Sequence, residues 1–127
     1  MQELFTGIYS KFSGNAALKA VVTGFYFTEA PQGTVYPYIV YHKISGVPDY
    51  TYTESMENVL IQFNIYDDHS SSTTINDIYA KLTALFDWCS LTVTSWSSIY
   101  MKRELDNLTR ENDIWNYFLQ YRLEIQK

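Results

Sequence analysis

The run NVLIQFNIY at 58–66 sets Val59, Ile61, Phe63 and Ile65 against Leu60, Gln62, Asn64 and Tyr66. Successive side chains leave opposite faces of a pleated strand, so a period of two with one apolar set demands a half-buried strand. Upstream, YPYIVYHKI at 36–44 has the β-branched and aromatic content that suits the same surface. The connector SGVPDYTYTESME carries the turn formers Gly46 and Pro48 and is too long for a two-residue turn. The expectation is a β-hairpin with an extended tip. Long tips cost more ordering entropy than short ones, and reaching a partner would justify that cost.

The rest of the chain supplies what covers such a hairpin. Leu4, Phe5, Ile8, Tyr9 and Phe12 fall on one helical stripe. Gly14 suits a left-handed stop, and Asn15 suits the cap of a short helix over 16–22. Phe25 to Phe27 reads as a brief strand, and Pro31-Gln32-Gly33 as a turn into the hairpin. Ile75, Ile78, Tyr79, Leu82, Leu85 and Phe86 make the clearest helical stripe, with Thr74 and Asp77 as a capping-box start. Residues 91–103 alternate as a strand, and the charged ELDNLTREND reads as a loop. In the last run Trp115, Tyr117, Leu119, Tyr121, Leu123 and Ile125 share a face opposite Asn116, Gln120, Arg122 and Glu124, with Phe118 the one large apolar intruder. A helix would scatter that apolar set around its circumference, so a long strand is expected. The order ααββαββ predicts one α+β domain over 1–127, a mainly antiparallel four-stranded sheet with helices packed on one face.

Composition narrows the function classes. A net charge of −5 with no basic cluster beyond Lys102-Arg103 argues against a nucleic-acid surface, which needs concentrated cations. The single cysteine, Cys89, cannot close an internal disulfide. The start MQELFTGIY lacks the basic and apolar regions of a signal peptide, and no run reaches the ~20 apolar residues of a membrane span, so the expectation is a soluble intracellular chain. Twelve tyrosines among 127 residues suit surfaces that bury an apolar ring and keep a polar tip wet, as protein interfaces do.

Sites of chemistry are scarce. Asp67-Asp68-His69 is the one cluster with metal-ligand chemistry, but neighbouring strand residues point apart and no second His or Cys stands at ligand spacing, so a polar strand-to-helix turn is expected. His42 reads as a half-buried packing residue and Cys89 as a small core residue. Glu104, Asp106, Glu111 and Asp113 offer acid–base pairs only in principle, since a solvated loop explains them. No glycine-rich phosphate loop or nucleophile elbow occurs, and the expectation is no enzyme, no cofactor and no metal.

The opening MQELFTGIYSKFSGNAALKAVV, the stretch APQGTVYPYIVYHKISGVPDY, the strand NVLIQFNIYDD with its following helix, and the aromatic closing strand together resemble the phage tail-completion (tail-terminator) family. The resemblance spans nearly the whole chain, although the closing loop RENDIWNY is less glycine-rich than the family pattern. It implies a virion protein that is assembled in the bacterial cytoplasm. It also implies a ring of identical copies, typically six, on the head-proximal end of the tail tube, with tube protein and head-tail connector as partners. A head-closure adaptor is the alternative within assembly, and a small-molecule module with a pocket under the helix at 72–87 is the alternative outside it. Ring contacts need two complementary patches per copy, and an aromatic sheet face, the hairpin tip and a polar alternating edge are the parts available. The candidate contact residues are Val47, Pro48, Asp49, Tyr50, Tyr52 and Glu54 on the tip, with Tyr50 and Tyr52 as anchors, and Phe118 and Arg122 on the closing strand. For Phe118, packing under a helix is the competing expectation.

Overall fold

The computed structural model describes residues 2–50, 55–93 and 95–126. Its elements are α1 (Gln2–Ser13), α2 (Ala16–Lys19), β1 (Phe25–Phe27), β2 (Tyr38–Tyr50), β3 (Ser55–Asp67), α3 (Thr73–Phe86), β4 (Thr92–Val93), β5 (Trp96–Glu111) and β6 (Ile114–Gln126). The strands form one sheet in the order β1-β2-β3-β6-β5-β4. The β1–β2 pair is parallel, and the other four pairs are antiparallel. The α+β class and helices on one face hold. The four strands of the expectation become six, because short β1 and β4 flank the four long strands.

One cluster makes the core. Leu4, Ile8 and Phe12 of α1, Leu18 of α2, and Ile75, Ile78, Leu82 and Phe86 of α3 lie on Ile39, Val59, Ile61, Phe63, Ile65, Leu119, Tyr121 and Leu123 of the sheet. Phe63 sits at the centre, its ring 4.8 Å from that of Phe86 and 5.6 Å, edge-on, from that of Tyr121. The alternation read in β3 and β6 is therefore the alternation of core and outer face. Asn15 caps α2 as its type suggests, its Oδ1 accepting from the Leu18 amide at 2.8 Å.

Local readings fail where pairing overrides them. The extended tip is largely strand: β2 and β3 stay in register out to Tyr50↔Ser55, the last pair before 51–54, which lie outside the described residues. Gly46 and Pro48 lie within β2 rather than in a turn, after a bulge between Lys43 and Ser45. ELDNLTREND is not a loop either. It continues β5 to Glu111, and Asn112 and Asp113, at φ 52° and 64°, form the two-residue turn into β6. Both residues are left-handed, as the turn that best follows strand twist requires. The bulge between Arg103 and Leu105 shifts the phase of β5, so Leu105 is exposed while Asp106 faces α3, and the period-two test misses the strand. Ser95, at φ 68°, breaks the run at 91–103 into β4 and β5. Gly14 is not left-handed. Asp77 does not close a capping box; it takes Lys81 one turn on, at 2.6 Å.

Candidate functional site

The sheet face turned away from the helices carries the polar half of the alternation. Across its centre Gln120 Nε2 donates to Gln62 Oε1 at 2.9 Å, and Gln62 Nε2 donates to Asn64 Oδ1 at 3.1 Å. Toward one end Arg122 links three strands, with Nε 2.7 Å from Glu104 Oε1 and Nη1 2.5 Å from Asn58 Oδ1. Asn58 Nδ2 in turn donates to Glu124 Oε1 at 3.4 Å. Long side chains tied across strands in this way are ordered before any partner arrives, which lowers the entropy lost on binding. Phe118 lies on this face between Asn64 and Asn107, half-buried, so it does not pack under a helix.

At the other end of the same face the loop at 28–37 arches over Val40. With Tyr36, Tyr38 and Tyr66 it encloses an open cleft of about 550 Å³. The Tyr38 ring lies tilted 5.2 Å from that of Tyr36 and 5.3 Å from that of Tyr66, with Tyr26 edge-on at 6.3 Å. Burial, then the neighbouring phenols, holds Tyr38 and Tyr66 above the ordinary tyrosine pKa. The cleft holds no paired acid and base. None of the four clefts described is lined by α3, where the small-molecule alternative would place its pocket.

The strongest polar cluster escapes sequence reading. Arg103 of β5 reaches Asp87 Oδ2 at 3.3 Å and Asp106 Oδ2 at 3.4 Å, and it donates to the Tyr79 hydroxyl. Tyr79 donates to Asp106 at 2.8 Å, and Tyr121 donates to Asp87 at 2.5 Å. Burial, then the carboxylate each phenol serves, pushes both tyrosines far above their usual range. These groups tie α3 to β5 and β6. Apart from Arg103 and Asp106, three residues apart, and Arg103 and Asp87, the partners lie 24 to 34 residues apart in the chain, beyond the reach of any local spacing rule. Two of the carboxylates considered for acid–base work are thereby committed, Asp106 here and Glu104 to Arg122.

Asp67 is fully buried at the end of β3, with its Oδ1 2.5 Å from His69 Nδ1, and Asp68 stands exposed beside them. Two atoms bonded to one another at that distance are closer than two ligands of one tetrahedral ion, so the pair works as a turn lock. The Trp115 indole adds to the lock by donating to the His69 carbonyl at 2.9 Å. Burial raises the Cys89 thiol, which faces Met101 Sδ at 3.8 Å and is poorly disposed to react. His42 pairs across the ladder with Gln62. Val47, Pro48, Asp49 and Tyr50 extend β2, whereas Tyr52 and Glu54 lie outside the described residues.

The chain thus presents organised surfaces and, among the described residues, no assembled catalytic group. A family model, Tail completion protein gp17, matches residues 6–123. The chain belongs to the tail-completion family. No curated protein sequence matches it. Among solved structures, a chain from the virion of a native gene transfer agent particle superposes with a TM-score of 0.87 at 14% identity, covering 96% of this chain and 93% of that one. A second solved chain superposes with a TM-score of 0.63, also at 14% identity, with 94% of each chain covered. At such identities the likeness is one of fold. Family membership makes this a structural protein of a phage tail.

Proposed function

We propose that this tail-completion protein is a tail terminator: a ring, of six copies in the simplest case, that seats on the head-proximal end of a phage or prophage tail tube. There it stops polymerisation and offers the head connector its docking surface, after assembly in the host cytoplasm. The observation that carries this reading is a family match over nearly the whole chain, joined to a fold shared with a virion chain. The pre-ordered polar face and the hairpin end that carries Val47–Tyr50 supply the two kinds of surface that a head-to-tail ring needs. Within the ring, Tyr50 and Tyr52 are the anchors on a neighbour, flanked by Val47, Pro48, Asp49 and Glu54, with Phe118 and Arg122 contributing from the outer face.

Electron microscopy of the purified protein mixed with tail tubes tests the role. One annular density at a single end of each tube, with no further growth, is the expected image. Binding to portal or adaptor instead of tube would move the protein to the head side of the joint. For the anchors, Tyr50→Ala with Tyr52→Ala should leave a folded monomer that no longer forms rings; normal assembly by the double variant would reduce the hairpin end to a connector.

A further inference from the structure

The two outer edges of the sheet are each covered at one end only. Among the described residues, β1 and the Thr28 amide cover β2 as far as Tyr41, and no strand pairs with β2 from Lys43 to Tyr50 on that side. At the opposite margin β4 and the Trp88 amide cover β5 as far as Met101, and the outer side from Arg103 to Glu111 has no strand partner among the described residues. The backbone direction is known. Ile39 and Tyr41 bond outward, as does Met101, so alternation places Lys43, Gly46 and Pro48 on the outer edge of β2 and Arg103, Asp106, Leu108 and Arg110 on that of β5. Pro48 fits, since a strand accepts proline where its missing N–H would point away from the ladder.

We infer that these edges pair with each other between copies, β5 of one against β2 of the next, so that the sheets join into a closed barrel. The inference rests on the ring reading and names its junction. Three features of the sheet support it. The four long strands alternate in direction, so β5 and the next β2 meet antiparallel without any copy being inverted. The outward-bonding residues of both edges face the helix side, so pairing them keeps every helix on one side of the joined sheet and the Gln62–Gln120 face on the other.

The third is the offset. Through the ladder Gly46 is level with Met101, while Leu108 is level with Ile39, so the two free edges lie at opposite ends of the sheet. Bringing Gly46 beside Leu108 of a neighbour shifts it by about six ladder steps, roughly 20 Å at ~3.3 Å each, across four strands that span roughly 19 Å. That slope is about 45°, at the upper end of the ~35–45° strand tilt that closed barrels require. The bulges in both strands and the donor missing at Pro48 leave this junction with fewer bonds than an internal ladder, which disfavours indiscriminate edge pairing.

The test uses the full chain with Arg110→Pro, which deletes one outward N–H of β5, and Arg110→Ala, which keeps it while removing the same side chain. A thermal melt and circular dichroism verify that both are folded. Sedimentation of the protein alone at high concentration, and ring counting on tail tubes, should show wild type and Arg110→Ala associating and Arg110→Pro at least tenfold weaker in both. Gly46→Pro should fail likewise, and mixing it with Arg110→Pro should stop at dimers, since one intact junction remains. Rings formed by Arg110→Pro as readily as by Arg110→Ala would overturn the edge pairing and leave the tail-end role standing. Proline-sensitive association without any tube binding would leave the pairing standing and remove the role. A wild-type chain that is monomeric under both conditions would overturn the pairing.

Discussion

Phe63 shows what one position in this sheet carries. Its ring touches the Phe86, Tyr121, Phe25 and Tyr41 rings with no exposure to solvent, so it joins α3 to β6 and to the α1 side of the core. Truncation to Ala strips away that packing and leaves a cavity, at a cost of about 3–5 kcal/mol, a large part of the ~5–15 kcal/mol that holds a domain of this size together. A urea titration of Phe63→Ala should therefore show a midpoint well below wild type. His69 gives a different kind of residue effect. Its hydrogen bond to Asp67, then the charge of that carboxylate, holds its pKa above 6.5. A raised folded pKa means the stabilisation is complete below about pH 6.5 and is lost as pH climbs through the folded value. Melting temperature plotted against pH should fall more steeply across that window for wild type than for His69→Gln, and parallel curves would show that His69 contributes nothing there. Tyr41, pushed up to about 12 chiefly by burial and then by Tyr9, stays neutral throughout.

At the scale of elements, the β5–β6 hairpin is the feature that local sequence patterns conceal. Charged and amide side chains suit ELDNLTRE because one face of this strand meets polar partners and, among the described residues, its far edge has no strand beside it, while the bulge at Arg103/Leu105 breaks the period. The turn itself is legible. Asn112-Asp113 is a two-residue unit between two strands, and both types tolerate positive φ. Asp113→Gly should stabilise the protein by about 0.5–1 kcal/mol, because glycine adopts φ 64° without the strain an L side chain meets there. The same substitution removes a carboxylate that Arg110 approaches to 3.9 Å, but that group is nearly fully exposed and the pair contributes little. Differential scanning calorimetry should show the midpoint rise by a few degrees; a fall would mean the Arg110–Asp113 pair matters more than its geometry suggests.

On the scale of the whole molecule, the helices bury their apolar stripes on one face, and the opposite face and two staggered edges are the surfaces that the proposed ring would use. Oligomerisation through such edges exploits what a monomer must otherwise protect. The ring, its seat on the tube and the edge junction are separable at this scale, because self-association, tube binding and proline sensitivity are measured independently. In the ring proposed above, the helix layer would add breadth to one side of the joined sheet and so take the convex outside.

What followed from the chain alone was whatever depends on neighbours close in sequence: the alternation in β3 and β6, the stripes of α1 and α3, the Asn15 cap and the family resemblance over nearly the whole chain. Side-chain period and capping chemistry act over a few residues, so they can be read in order. What only the tertiary structure decided was which polar residues meet. The extension of the hairpin past Gly46 and Pro48, the Arg103–Asp87–Tyr79 cluster and the offset of the free edges all depend on register between strands far apart in the chain. Register is set by the sum of pairing and burial across the sheet, which no local window contains.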